Sequence, residues 1–69
     1  MMKLEYDKTV DAAYIYLKHP ILEGEVKKSV ECKKDIIFDF DSNGKLIGVE
    51  ILNARKVIDK KVLTASINN

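Results

Sequence analysis

With 69 residues, 46% of them apolar and 33% charged, the sequence has room for one small globular domain, 1–69, and is too apolar to be disordered. Twelve Lys and Arg against eleven Asp and Glu leave a net charge of +1, which argues against a general nucleic-acid binder with its basic stripe. One cysteine and one histidine rule out an internal disulfide, a zinc cluster and a His-rich metal site.

A domain of this size buries only about 60% of the surface of its unfolded chain. Self-association or an oxygen-ligand metal site is therefore the expected extra stabiliser. No apolar run approaches the roughly 18 residues of a membrane span. The opening MMKLEYDKT lacks the apolar stretch of a signal peptide. A cytoplasmic protein with no membrane partner is the expectation.

Taken in chain order, Leu4 and Tyr6 at spacing two suggest a first strand over Met2 to Tyr6, and Asp7-Lys8-Thr9 a turn. In VDAAYIYLK, Ala13, Ile15 and Leu17 share one parity and Tyr14, Tyr16 and Lys18 the other, which predicts a second, half-buried strand. His19-Pro20 ends it, because proline cannot donate to a ladder. A loop over Ile21 to Gly24 follows. EVKKSVEC then predicts a weaker strand toward an edge, with Lys28 on its apolar parity resisting further pairing. After a turn at Lys33-Lys34, DIIFDFD sets Ile36, Phe38 and Phe40 on one face and Ile37, Asp39 and Asp41 on the other. KLIGVEIL sets Ile47, Val49 and Ile51 opposite Leu46, Gly48, Glu50 and Leu52. After Leu52 the period lengthens. Asn53 is the expected helix cap. Ala54, Val57, Ile58, Lys61, Val62 and Ala65 form a helical stripe, with a break expected near Asp59 and fraying from Ser66 onward.

The stretch DFDSNGKLIGVE, Asp39 to Glu50, spells a complete calcium loop. Asp39, Asp41 and Asn43 would offer side-chain oxygens, Gly44 the sharp turn, Lys45 a carbonyl and Glu50 a bidentate carboxylate. Such a loop needs a helix on each side. Here both flanks alternate with period two, and Asp41-Ser42-Asn43-Gly44 is turn chemistry. A β-hairpin is the stronger reading, and no residue is assigned as a metal ligand.

Two blocks also resemble a known pattern. Tyr6, Asp7, Asp11, Tyr14, Ile15 and Leu17 match Y-D-x-x-x-D-x-x-Y-I-x-L. Asp35, Ile36, Asp39, Asp41, Gly44, Gly48, Val49, Glu50, Ile51, Leu52 and Ala54 match a second block ending G-(I/V)-E-I-L-x-A. The chain resembles a family of small prokaryotic proteins typed as a domain of unknown function. The resemblance implies a small antiparallel sheet with a C-terminal helix. It carries no catalytic residues. Some members lie beside small toxin-like genes, which implies an antitoxin or partner-protein role.

Asp7, Asp11, Asp39, Asp41 and Glu50 are the candidates for a carboxylate cluster that could do acid–base or metal chemistry. The plainer reading makes Asp7 and Asp41 turn residues and leaves Asp11, Asp39 and Glu50 on a solvated or interface face. His19 reads as an exposed loop residue, and Cys32 as a small half-buried apolar one. Tyr14 and Tyr16 read as core or interface packing, with base stacking the rival. Arg55-Lys56 and Lys60-Lys61 read as the solvated face of a helix.

The resulting expectation is a two-layer α+β domain: an antiparallel meander of four to five strands with one C-terminal helix packed on it. Apolar residues on both parities of the last hairpin predict a homo-oligomer, a dimer first. The expected function is a non-enzymatic protein-interaction module that self-associates, antitoxin-like, without cofactor and without nucleic acid. The alternatives are a metal-dependent or carboxylate-based small enzyme and a calcium-binding module through 39–50.

Overall fold

A computed structural model describes residues 2–66, and the fraying expected at the end of the chain lies largely outside them. The elements are β1 (Lys3–Asp7), β2 (Ala12–Tyr16), β3 (Lys28–Lys33), β4 (Ile36–Phe40), β5 (Leu46–Leu52), α1 (Ala54–Val57) and α2 (Lys60–Ser66). All strand pairs are antiparallel, in the order β1-β2-β5-β4-β3. The small α+β fold is the one the alternation suggests.

The order refines the simple meander. The strands β3, β4 and β5 do follow one another, and β1 and β2 form a hairpin. The last strand then returns to the middle, with β2 on one side and β4 on the other. The loop from β2 to β3 must therefore pass the ends of β5 and β4. It is pinned at both, by Leu17 and Lys18 N–H to the Ile47 carbonyl and by Lys27 N–H to the Phe40 carbonyl. Within it, Lys18 pairs with Glu25, which also accepts the Leu22 N–H.

The hairpin reading of 39–50 holds. Asp41 Oδ1 accepts the N–H groups of Asn43 and Lys45, both at 2.9 Å, and Gly44 takes φ +75°. That positive φ is where glycine has no Cβ penalty. Beyond the turn the register shifts between Asp39 and Phe40, so Gly48 faces Asp39 while Leu46 faces Phe40.

Registers across the sheet sort its two faces. Leu4, Ile15, Val49, Phe38 and Val30 line up on one face, beside Tyr6, Ala13, Ile51 and Ile36. The helices cover this face, but only over one half of it. Ala13, Ile51, Ala54 and Leu63 form the buried cluster, flanked by Leu4, Tyr6, Ile15, Val49 and Ile58. No residue of β3 or β4 belongs to it.

The C-terminal helix is split where the break was expected. Ile58 is extended (φ −111°, ψ 137°), and Asp59 then caps α2 from just before its first residue. Its Oδ1 accepts the Lys61 N–H at 2.7 Å and its carbonyl accepts those of Val62 and Leu63. Asn53 does precede α1, but its side chain does not cap the helix. Its amide instead donates to Asp35 at 3.1 Å. The cap comes from Asp11, far back in the chain: its carbonyl accepts the Ala54 N–H and its carboxylate the Arg55 N–H.

Candidate functional site

Polar side chains collect on the face away from the helices. By register, Lys3, Glu5 and Asp7 of β1 lie beside Tyr16, Tyr14 and Ala12 of β2. Gly48, Glu50 and Leu52 of β5 follow, then Asp39 and Ile37 of β4, then Ser29 and Glu31 of β3. Acids dominate: Glu5, Asp7, Glu31, Asp39 and Glu50 against Lys3.

The centre of this face is a hydrogen-bonded row across four strands. Tyr14 donates to Asp39 Oδ2 at 2.6 Å and Ser29 to Asp39 Oδ1 at 2.7 Å. Asp39 is only 8% exposed, so both carboxylate oxygens are satisfied where water scarcely reaches. Gly48 makes the row possible. Tyr14 reaches β4 by lying across β5 at this residue, and a Cβ there would sit 2.5 Å from the Tyr14 Cζ and closer still to its hydroxyl. Burial, then the Asp39 carboxylate, push the Tyr14 phenol far above its ordinary range. It is a neutral donor at any physiological pH.

Beside the row, Tyr16 donates to Glu5 at 3.0 Å and meets the Tyr14 ring edge-on at 4.7 Å. The Lys3 ammonium, then the Tyr16 hydroxyl, hold the Glu5 carboxyl below its ordinary range. The Tyr16 phenol is raised by burial and by Glu5. His19 is exposed and sets its ring edge against Tyr16 at 5.0 Å.

The carboxylate candidates divide three ways. Asp7 and Glu50 border one shallow depression with Lys3, Glu5, Ala12 and Tyr14. Asp7 Oδ1 is engaged with the Thr9 N–H at 2.9 Å, the turn role expected of it. Asp39 adjoins the depression only through Tyr14. Asp11 and Asp41 lie elsewhere. Asp11 takes φ +55° and accepts the Tyr6 hydroxyl at 2.7 Å as well as the Arg55 guanidinium. The Tyr6 hydroxyl, with help from Arg55, lowers the Asp11 carboxyl, and Asp11 raises the Tyr6 phenol in return. The surface role expected for Asp11 and Asp39 is thus corrected. One caps a helix and the other is buried, because each has found donors that its strand parity does not record.

The calcium-loop positions do not close on one point. Asp39 turns to Tyr14 and Ser29, while Asp41 is spent on its own turn. Among the described residues, no three His, Cys, Asp or Glu side chains gather closely enough to hold a metal ion. Cys32 also needs correction. It is exposed, not half-buried, because it sits at the register shift between Glu31 and Lys33 on the outermost strand. Sequence reasoning missed Ser29 altogether. The only signal for it was its place opposite Asp39 once the strands were paired. Chemically the row is a clamp: a buried carboxylate saturated by two hydroxyls.

A family profile described as "protein of unknown function (DUF2283)" matches residues 3–55. An uncharacterized protein of Methanocaldococcus jannaschii is 38% identical over 58 residues. That alignment covers 84% of this chain but 46% of the relative, so the chain spans less than half of the relative's length. No solved structure matches.

Proposed function

The chain belongs to this DUF2283 family of proteins of unknown function, and on that premise we propose that it is a non-enzymatic protein-interaction module that self-associates and serves in the manner of an antitoxin. The observation that carries this reading is the half-covered apolar face. Beyond the reach of the helices, Val30 and Leu46 are each 38% exposed, next to half-buried Phe38 and Phe40. The core is small for the sheet it supports: its buried apolar residues are Ala13, Ile47, Ile51, Ala54 and Leu63 among the described residues. Stacking the open halves of two copies would bury the remaining apolar surface and complete both cores, in the isologous way that two-fold dimers do. The non-enzymatic part rests on the carboxylates, which are mostly tied to turns, a helix end and the clamp. The antitoxin part rests on the family resemblance and its neighbouring toxin-like genes.

Sedimentation equilibrium over a wide concentration range tests self-association. The expected mass is twice the 7.9 kDa of one chain, and Leu46→Glu should return a monomer with an unchanged far-ultraviolet spectrum. A wild-type monomer at every concentration would overturn it. Co-purification with the product of the adjoining gene tests the antitoxin role, and loss of that product on washing would count against it.

A further inference from the structure

We propose that the outer edge of β3 is a docking strand for an acidic, extended segment of a partner protein, which joins the sheet as a sixth strand. This rests on the interaction-module reading and names the chemistry of the partner.

The two edges of the sheet differ. At one edge, α2 packs against β1, and Lys3 and Glu5 of β1 neutralise each other. At the other, all six residues of β3 are exposed, and the strand pairs with β4 on one side only. Its outer N–H and C=O groups offer a template for another strand. Lys27, Lys28, Lys33 and Lys34 bracket that edge. None of the four forms an ion pair among the described residues.

Edge lysines ordinarily guard against like pairing like, and here they do so specifically. If two β3 strands paired antiparallel about Val30 and Glu31, Lys28 would face Lys33 and Lys27 would face Lys34. Like charges directly opposite are destabilising. A second copy is therefore a poor occupant of this edge, and the stacked dimer leaves it open. An acidic strand meets the reverse situation, since each lysine gains a partner. The registers state what it should look like. Lys28, Val30 and Lys33 align with Phe40, Phe38 and Ile36 on the helix side of the sheet. The matching side of the guest should then read acid, apolar, acid.

The test is selection of random decapeptides, displayed on phage, against the intact immobilised protein. Enriched peptides should carry an Asp or Glu two or three residues to either side of a Val, Ile, Leu or Phe, so that all three fall on one face of the guest strand. One of them, synthesised, should slow hydrogen exchange at amides of residues 28–33. The double variant Lys28→Glu/Lys33→Glu should weaken that peptide by about tenfold, because attractive contacts become repulsive, while leaving the far-ultraviolet spectrum and the sedimenting mass unchanged. Enrichment of basic or neutral peptides, protection at another surface, or no enrichment would overturn the proposal. So would β3 protection that grows with protein concentration alone, which would mean a second copy holds the edge. A monomer that still selects acidic peptides on β3 would sink self-association and spare this inference. A dimer that selects none would do the opposite.

Discussion

The β1–β2–β5 half of the sheet and the β3 edge are built on different terms. In the first, most polar side chains are bonded to another residue, and those of Asp11 and Tyr14 to residues far along the chain. Asp11 holds the start of α1, Tyr6 holds Asp11, and Tyr14 reaches across β5 to Asp39. In the second, the six residues of β3 are exposed, and only Ser29 has a side-chain bond across the sheet. The residues that carry the family pattern fall in the first half, in the β4–β5 hairpin and at the start of α1. None lies between Lys18 and Lys34. The pattern therefore reads as instructions for folding. It includes a turn carboxylate (Asp41), a positive-φ glycine (Gly44), a glycine under a ring (Gly48) and a fully buried Ala54. Glu50 is the exception. Its carboxylate makes no hydrogen bond or ion pair among the described residues.

The largest effect should come from Gly48→Ala. Its Cβ would occupy the space of the Tyr14 ring, and overpacking of this kind costs roughly 1–3 kcal/mol. Urea denaturation would measure it. In a Tyr14→Ala background the same change should cost little, because the collision is gone, so the pair should show strong coupling in a double-mutant cycle. Cys32→Ser on β3 is the matched control and should stay within about 0.5 kcal/mol. Equal costs at Gly48 and Cys32 would erase the distinction between the two halves.

Tyr14→Phe comes next. It keeps the ring but strands one oxygen of a buried carboxylate, at roughly 1–3 kcal/mol. Asp39→Asn in the same background should recover part of that loss, since an amide is less costly to leave half-satisfied than a charge. If Tyr14→Phe were neutral in denaturation, the clamp would contribute nothing to stability.

Much of the local structure was legible. Alternation placed each strand to within a few residues, and the turn at Asp41 to Gly44 and the break near Asp59 followed from side-chain chemistry. What alternation does not encode is which strands become neighbours. The insertion of β5 beside β2 follows from burying Val49 and Ile51 against Ala13 and Ile15, a long-range preference. The same gap hid Asp39. Its parity marks it as polar and outward, and only the pairing with Ser29 and the reach of Tyr14 over Gly48 make that position buried. The capping role of Asp11 was hidden for a related reason, because its partner amide is Arg55, far along the chain.

A smaller effect, lost only in acid, is expected at Asp11. The Tyr6 hydroxyl and Arg55 lower its carboxyl in the folded state. A depressed carboxylate contributes stability above its unfolded value, and that contribution is lost as pH falls through the folded one. Wild type should therefore exceed Asp11→Asn in thermal midpoint at neutral pH. The gap should close as pH drops below about 4. A gap that is constant with pH would mean that the charge of Asp11 is irrelevant to its cap.

The smallest effect should be calcium's. Segment 39–50 spells every ligand, so a titration asks whether spelling or geometry governs. To bind, the ion would need Asp39 to release Tyr14 and Ser29 and Asp41 to release the N–H groups of its own turn. It would also have to draw in Glu50, which register places opposite Ile37, beyond Asp39 and Gly48 along the ladder. Those bonds hold β4 to β2 and β3 and close the turn to β5, so the ion would have to be bound at the expense of the fold it should stabilise. A ligand that prefers the folded state raises the melting midpoint in proportion to its binding. At millimolar calcium the midpoint should not move. An upward shift that disappears in Asp41→Ala would show that the turn opens to the ion and that geometry here yields to spelling.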